Sequence, residues 1–158
     1  MRDLKNSDTH RDISDRGFSK RSRDNYENRK RKRRILVTDD EQDIAEVFRI
    51  ALEQNGFEVD TFTDPIDALS NFKKGYHDII ISDVRMPNIN GFDLCKELAK
   101  IDDKVKIFFV SSGEIYNNYL REQYPNLIID ERHYIDKPIS ISKLVDRISG
   151  QEDRHIKL

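Results

Sequence analysis

Short apolar runs that end in charged side chains recur along this chain of 158 residues. Three of the runs lie at residues 35–37, 79–81 and 134–135, and within three residues each is followed by a carboxylate or an ammonium group: Asp39 and Asp40, Asp83, and Lys137. In an open sheet of parallel strands, ligands bind in the crevice outside the carboxyl ends of the strands. The pattern therefore predicts that these four side chains meet at one end of a sheet.

Three carboxylates at one end of a sheet repel one another unless cations neutralise them. A hard divalent cation bound through oxygen atoms meets this need, and a nearby lysine supplies the remaining positive charge. These residue types therefore predict a metal site with Lys137 beside it.

The spacing of the apolar residues predicts five strands that alternate with helices. We expect strands at residues 34–38, 57–62, 78–82, 106–110 and 133–136. We expect helices at residues 42–54, 64–72, 92–100, 114–123 and 140–150. Residues 126–132 are predicted to form an extended loop or an irregular turn. Five strand–helix units in this order predict a doubly wound α/β sheet with helices on both faces.

Basic and acidic residues are unevenly distributed along the chain. Residues 1–34 hold 13 of the 28 Lys and Arg residues but only 6 of the 30 Asp and Glu residues. Residues 1–33 also lack a periodic apolar face, so they offer too little burial to offset the entropy of ordering. We predict a disordered basic tail at residues 1–33, one domain at residues 34–150 and a short C-terminal tail at residues 151–158.

The basic run of residues 29–34 has three interpretations: a solvated tail, a contact with a polyanion, or a product of expression or of the choice of start site. A solvated tail is the simplest of them. Contact with nucleic acid is not favoured, because the run has no interleaved aromatic residues and no recognition fold accompanies it.

The cysteine and hydropathy patterns bear on the compartment. The single cysteine, Cys95, excludes an internal disulfide bond. No apolar stretch approaches the roughly 18 residues that span a bilayer, and the N-terminus lacks an apolar signal segment. We expect a reduced cytoplasmic protein with no membrane contact, in which Cys95 is a small core residue on an apolar helix face.

Four separated motifs resemble the receiver domain of two-component response regulators. They are Val37-Thr38-Asp39-Asp40-Glu41, Ile80 to Pro87 followed by Gly91, Val110-Ser111-Ser112, and Tyr134-Ile135-Asp136-Lys137-Pro138. Each motif lies at the end of a predicted strand, and the resemblance covers roughly residues 34–150. It implies the flavodoxin-like, CheY-like fold, a five-stranded parallel sheet with strand order 2-1-3-4-5.

The resemblance also implies roles for single residues. Asp83 corresponds to the phospho-acceptor, which takes a phosphoryl group from a histidine kinase or a phosphotransfer protein. Mg²⁺ would be bound directly by Asp40 and Asp83, through water by Asp39, and by the backbone carbonyl of Arg85. Lys137 would pair with the phosphoryl oxygens.

Three further positions match residues that act around the phosphoryl group in this family. Ser111 matches the hydroxyl that moves to hydrogen-bond the phosphoryl group, and Tyr134 matches the aromatic switch residue that swings inward as it does so. Pro138 matches a cis-proline that would aim Lys137 inward. The long polar stretch of residues 113–132 departs from the family pattern, as does Arg85, two residues after Asp83.

Together these features predict a stand-alone response regulator that is a switch and not an enzyme, and that acts by contact with an unknown downstream protein. The alternative is a Mg²⁺-dependent phosphohydrolase of the haloacid dehalogenase type, which also uses an aspartate nucleophile on a doubly wound sheet. That class needs a second aspartate two residues after the nucleophile, where this chain has Arg85 after Asp83 and Glu41 after Asp39. A third hypothesis is a nucleic-acid-associated regulator that uses the basic tail.

Each site residue also has a simpler interpretation when it is taken alone. Asp39 and Asp40 suit the N-terminus of a helix, and Asp83 suits a turn. Lys137 suits a solvated strand end. Their shared position after apolar strands favours one common site.

Deletion of residues 1–33 is expected to leave folding and the phosphorylation of Asp83 nearly unchanged, because the strands of the predicted sheet start at about residue 34. Retention on heparin at low salt should be lost with the tail, since it would arise from counterion release by residues 29–34. Phosphorylation rate and heparin retention of the full-length and truncated proteins check this prediction. A truncated protein that does not fold would place the tail within the domain.

Overall fold

The structure is a computed structural model that describes residues 31–112, 122–125 and 131–150. The chain divides into a unit of residues 1–31 and a unit of residues 32–158, and the elements given below lie in the second. In chain order they are β1 (Arg34–Thr38), α1 (Gln42–Gln54), β2 (Glu58–Phe62), α2 (Pro65–Asn71), β3 (Ile79–Asp83), α3 (Gly91–Ile101), β4 (Lys106–Ser111), β5 (Tyr134–Asp136) and α4 (Ile141–Gly150). A 3-10 turn, Glu131–His133, precedes β5.

The five strands form one parallel sheet in the order β2-β1-β3-β4-β5. This confirms the predicted fold class and strand order. Thr38 pairs with Ser82, Asp83 with Val110, and Ser111 with Asp136. Because every strand runs in the same direction, the residues that follow β1, β3, β4 and β5 emerge at one edge of the sheet.

Both faces of the sheet are covered by helices. On one face, Ala68 of α2 and Phe92 and Leu98 of α3 pack against Leu36 and Ile80. Alternate strand residues point to the opposite face. There Ile35, Val37, Ile79, Ile81, Phe108 and Val110 form a second core with α1 and α4. The uniform apolar runs of β3 and β4 are therefore explained by burial on both sides.

Local sequence signals fix the starts of two helices. Asp64 caps α2 by accepting a hydrogen bond from the backbone of Ile66, and Pro65 occupies the first turn. Asn90 caps α3, where its side-chain oxygen accepts hydrogen bonds from the backbone N–H groups of Phe92 and Asp93. The predicted cap at Asp64 is confirmed.

Several element boundaries differ from the predicted ones by a residue or two. β2 begins at Glu58 and not at residue 57, and α2 ends at Asn71 because Phe72 is extended. β3 extends to Asp83 and β4 to Ser111, so both side chains are the last of their strands. β5 begins at Tyr134 because the 3-10 turn takes residue 133. Residues 113–121, which include most of the predicted helix 114–123, and residues 126–130 lie outside the described residues. So do residues 1–30 of the predicted disordered tail and the predicted C-terminal tail.

Arg33, the last residue of the predicted tail, contacts the sheet domain. Its carbonyl accepts a hydrogen bond of 3.0 Å from the backbone of Glu58, and its guanidinium donates one of 3.0 Å to the carbonyl of Ile148. The guanidinium carbon also lies 5.2 Å from the centre of the Phe57 ring. A deletion of residues 1–32 keeps these contacts and is the cleaner form of the tail experiment.

Gly91 begins α3 directly behind the end of β3. Its backbone N–H donates to the carbonyl of Val84 at 3.0 Å. A β-carbon at this position would lie 2.1 Å from the backbone carbonyl oxygen of Asp83 and 2.8 Å from the hydroxyl of Ser82. Only glycine lets α3 approach the end of β3 this closely.

We therefore expect Gly91→Ala to destabilise the fold by about 1–3 kcal/mol or more, because a backbone atom cannot move aside as a side-chain end can. Gly150→Ala is the matched control, since a β-carbon there would meet nothing within 4 Å. Urea unfolding of both variants measures the difference. Equal stability of the two variants would contradict the close approach at Gly91.

Candidate functional site

A cavity of about 540 Å³ opens at the carboxyl edge of the sheet. The residues that line it come from the ends of four strands: Asp40, Glu41, Asp83, Arg85, Ser111, Ser112 and Lys137. All the site residues predicted after β1, β3 and β4 lie at or directly beside this cavity, and Lys137 follows β5. The structure thus brings together residues that are far apart in the sequence.

The ammonium group of Lys137 bridges two aspartates. Its Nζ lies 2.8 Å from Oδ1 of Asp83 and 3.1 Å from Oδ2 of Asp39. The Asp39 and Asp83 side chains are 2% and 9% exposed, so water does little to separate their charges. One lysine therefore neutralises half of the negative charge that the two buried carboxylates carry.

The backbone holds Lys137 and Asp83 in these positions. The N–H of Lys137 donates to the carbonyl of Ser111 at 2.8 Å, and the peptide bond between Lys137 and Pro138 is cis, as the resemblance implied. Oδ2 of Asp83 accepts a hydrogen bond of 2.8 Å from the N–H of Arg85. Oδ1 of Asp83 faces Lys137, so each oxygen of this carboxylate has its own partner.

Asp39 lies beneath the cavity and is almost completely buried. Burial raises the pKa of its carboxyl group, and the nearby charge of Asp83 raises it further. Hydrogen bonds from the backbone of Glu41, at 3.0 Å, and from Lys137 act in the opposite direction without cancelling the effect of burial. The bond from Glu41 lies before the first turn of α1, whose N-cap is Glu41 and has no side-chain capping hydrogen bond, so the structure does not place Asp39 at the helix cap considered for it.

The pKa of Lys137 is shifted as well. Burial alone would lower the pKa of its ammonium group, but the hydrogen bonds and charges of Asp83 and Asp39 outweigh burial, so the pKa lies above the ordinary value for lysine. Lys137 therefore stays charged throughout the neutral range.

The rim of the cavity is exposed. Asp40, Glu41 and Arg85 are exposed to solvent, in contrast to Asp39. The guanidinium of Arg85 reaches from the end of β3 to that of β4, where it donates a hydrogen bond of 3.1 Å to the hydroxyl of Ser112. This contact spans two of the strand ends that line the cavity.

The two predicted switch residues lie on β4 and β5. Ser111 is buried and lines the cavity. Tyr134 is half-buried, and its ring packs against Phe109 with the ring centres 5.8 Å apart. The side chain of Tyr134 does not line the cavity, so any influence of the site on this ring passes through other residues.

A family model described as the response regulator receiver domain matches residues 35–149. The chain belongs to this family. The motifs at the four strand ends lie within the matched range, as do the five strands from residue 35 onward.

Individual proteins show the same relationship to this receiver domain. The chain is 35% identical over 117 residues to the probable transcriptional regulator ycf27 of Porphyra purpurea, covering 74% of this chain and 46% of that protein. It is 30% identical over 114 residues to the response regulator ArlR of Staphylococcus aureus, covering 72% of this chain and 50% of that protein. The chain thus spans about half the length of these relatives.

The fold is also similar to that of a solved structure. The chemotaxis protein CheY4 of Vibrio cholerae superposes with a TM-score of 0.64 at 23% identity, covering 76% of this chain and 98% of that chain. This likeness supports the fold of the receiver domain and nothing finer.

The donor atoms at the cavity suit Mg²⁺, provided that water completes its shell. Within residues 31–112, 122–125 and 131–150, no three His, Cys, Asp or Glu side chains are placed to close around a metal ion. Mg²⁺ does not need such a cage, because it usually keeps several waters and binds one or two carboxylates. Asp40 and Asp83 line the cavity and supply two, whereas the buried Asp39 does not line it. The residues present therefore fit this ion.

Sequence reasoning missed two side chains of the receiver domain that line the cavity, Glu41 and Ser112, as well as the contact of Arg85 with Ser112. Glu41 and Ser112 each stand next to a predicted site residue, so their adjacency was the available signal.

The described part of the chain contains no helix long and apolar enough to cross a membrane.

We expect Asp39→Asn to stabilise the metal-free protein at neutral pH by about 1 kcal/mol, the usual size of a single-residue effect. The raised pKa of Asp39 means that its charge destabilises the folded state at neutral pH. Protonation of Asp39 relieves this loss of stability as the pH falls through its folded pKa towards about 3.9, the ordinary pKa of an aspartate. The stability gained by Asp39→Asn should therefore shrink in acid.

Asp40→Asn is the matched control, because it removes the same charge from an exposed position one residue away. Thermal unfolding in a chelator at several pH values compares the two variants. If Asp40→Asn stabilised the protein as much as Asp39→Asn, the effect would be one of general charge and not of burial.

Proposed function

We propose that this receiver domain accepts a phosphoryl group on Asp83 from a histidine kinase or a phosphotransfer protein, with Mg²⁺ bound beside it. The observation that carries the proposal is the position of Asp83 at the base of an open acidic cavity, with the Lys137 ammonium 2.8 Å from one of its oxygens. A carboxylate can receive a dianionic group only where cations offset the repulsion.

The residues of the chain take distinct parts in this transfer. A carboxylate oxygen of Asp83 forms the new bond to phosphorus as the bond to the donor nitrogen breaks, so the donor leaves with that electron pair. Lys137 contacts Asp83 and faces the cavity, where it offsets charge on the phosphoryl oxygens. The N–H of Arg85 holds the second oxygen of Asp83 and so fixes the orientation of the carboxylate.

Mg²⁺ would be held by Asp40 and Asp83, by Asp39 through water, and by the backbone carbonyl of Arg85. When bound, it would supply positive charge to the phosphoryl oxygens. The exposure of Asp40 and the burial of Asp39 support this division between direct and indirect contact.

The response to phosphorylation is assigned to Ser111 and Tyr134. Ser111 lines the cavity at the end of β4, within the same wall as Asp83, which supports a hydrogen bond from its hydroxyl to the phosphoryl group. Ser111 pairs with Asp136 of β5, and Tyr134 lies two residues before Asp136 on the same strand. Movement of β4 towards the phosphoryl group would therefore change the packing of Tyr134 on Phe109 and alter the surface that a downstream protein contacts.

An apolar groove beside the cavity supports a protein as the phosphoryl donor. The groove has a volume of about 250 Å³ and shares Lys137 with the acidic cavity. Its apolar lining comes from α1 and from the segment after β5: Ile44, Val47, Phe48, Pro138, Ile139 and Ile141. Val47 is 57% exposed, so a docked protein would bury apolar surface next to Asp83.

We also propose that the protein is a switch and does not turn over a substrate as an enzyme. A haloacid dehalogenase-type hydrolase needs an acidic group two residues after its nucleophile, and the side chain of Arg85, in that place after Asp83, is cationic and donates to Ser112. The stand-alone arrangement and the cytoplasmic location stay predictions. Contact with nucleic acid through residues 29–34 also stays a prediction, and residues 29 and 30 of that run lie outside the described residues.

We expect incubation with acetyl phosphate and Mg²⁺ to add one phosphoryl group to the protein. Asp83→Asn should abolish the addition, because Asp83 lines the cavity and is in contact with Lys137. Chelation of Mg²⁺ should slow the reaction at least about a hundredfold, since it removes a major source of charge stabilisation. Intact mass measured over time checks both expectations.

Asp103→Asn is the matched control, because it removes an exposed carboxylate that does not line the cavity. This variant should gain the phosphoryl group at the wild-type rate. Undiminished modification of Asp83→Asn would show that another residue is the acceptor. Continuous release of phosphate, many turnovers per protein molecule, would favour a hydrolase.

A further inference from the structure

A second polar cluster lies at the amino end of the sheet, away from the phospho-accepting cavity. It joins the first residue of β1, Arg34, to Asp60 of β2 and to His77 in the turn before β3. None of these residues lines the acidic cavity. The proposed phosphoryl transfer gives the cluster no role.

His77 is buried to an unusual degree for a titratable side chain, with only 2% of it exposed. Its ring stacks on Phe72, with the centres 5.4 Å apart and the planes 9° apart, and meets the Tyr76 ring edge-on at 4.8 Å. Nε2 lies 3.0 Å from Oδ2 of Asp60. Nδ1 is buried and has no hydrogen-bond partner among the described residues.

These contacts define the protonation state of the ring. Nε2 donates its hydrogen to Asp60, so a neutral ring leaves a bare lone pair on Nδ1. A second proton would sit on Nδ1, in an apolar position with no acceptor. The folded structure therefore accommodates the neutral imidazole and not the imidazolium ion.

Asp60 does not offset the cost of burying an imidazolium ion, because its carboxylate already pairs with the guanidinium of Arg34. The Arg34 guanidinium lies 3.3 Å from the same oxygen of Asp60 and also contacts Glu58 and the hydroxyl of Tyr76.

The charged groups around His77 act in both directions. Burial is the largest influence and lowers the pKa of His77. The hydrogen bond and the charge of Asp60 come next and raise the pKa without cancelling the effect of burial. The charge of Arg34 lowers the pKa and that of Asp78 raises it, both by less. Phe72, from the end of α2, adds no charge, and Asp102, at the end of α3, accepts from the backbone of Gly75 at 2.7 Å.

His77 sits in a segment that the backbone fastens to the sheet. The N–H of Asp78 donates to the carbonyl of Arg34 at 2.8 Å, and the side chain of Asp78 accepts from the N–H of Arg34 at 2.7 Å. The carbonyl of Asp78 accepts from Lys106 at 3.1 Å. Loss of the His77 packing would therefore loosen the start of β1 and of β3 together.

We propose that His77 is an acid-sensitive latch, whose protonation releases residues 72–78 from the amino end of the sheet. The latch is closed at neutral pH. As the pH falls below about 6.5, the ordinary value for histidine, the open form takes up a proton that the closed form excludes. The equilibrium then shifts towards the open form, by about tenfold for each further pH unit until the closed form is protonated too.

Amide hydrogen exchange, corrected for its intrinsic dependence on pH, tests the latch at about pH 7.5 and pH 5.5. The amides of Arg34 and Asp78 should lose up to about tenfold in protection at the lower pH, which is one pH unit below 6.5. The amides of Ile80 and Ile107, in the centre of the sheet, are the internal reference and should change much less.

His77→Phe keeps an aromatic ring between Phe72 and Tyr76 but cannot take up a proton, so Arg34 and Asp78 should keep their protection in acid. If the phenylalanine ring, which is larger than imidazole, does not fit between Phe72 and Tyr76, His77→Gln is the second variant that cannot take up a proton. Neither variant should change the phosphorylation of Asp83 at about pH 7.5, which separates the latch from the proposed function.

Titration of the His77 ring by NMR, in the folded protein and in urea, supplies an independent measurement. The folded protein should titrate at the lower pH. A folded midpoint equal to or above that in urea would overturn the proposal, and so would an equal loss of protection in the wild type and in either variant.

Discussion

The ammonium group of Lys137, held between Asp39 and Asp83, is the contact on which the organisation of the carboxyl edge depends. Two buried carboxylates at the ends of neighbouring strands would repel each other without it. The lysine comes from the end of β5, across β4, so β1, β3, β4 and β5 must be paired before the charges are balanced. Because the balance is incomplete, the cavity stays acidic and retains a place for a further cation.

The parallel sheet separates polar groups by the direction of its strands. At the carboxyl edge the strand ends lead to a solvent-filled cavity, and close packing behind it requires Gly91. At the amino edge, Arg34 and Asp60 are partly exposed, whereas aromatic rings cover His77. The two edges thus bury different groups: a pair of carboxylates with one lysine at the carboxyl edge, and a histidine at the amino edge.

Much of this fold follows from local signals. The apolar runs place β1, β3 and β4 within a residue or two, and the Asp64-Pro65 pair correctly marks the start of α2. The ends of strands were less predictable, because a strand continues as long as a neighbouring strand offers hydrogen bonds. Asp83 is part of β3 because it pairs with Val110, a residue that local sequence around Asp83 does not reveal.

The sequence by itself determined the fold class and the family. It also indicated most of the residues that line the cavity, because strand direction alone sends the residues after each strand to the same edge. Only the tertiary structure decided how those residues differ. Asp39 is buried and Asp40 exposed although they are adjacent, since successive side chains turn to opposite directions as the chain leaves β1. The contact of Lys137 with Asp39 joins residues 98 positions apart, and that of His77 with Asp60 joins residues 17 apart. Such pairs arise from packing between elements, which no local pattern encodes.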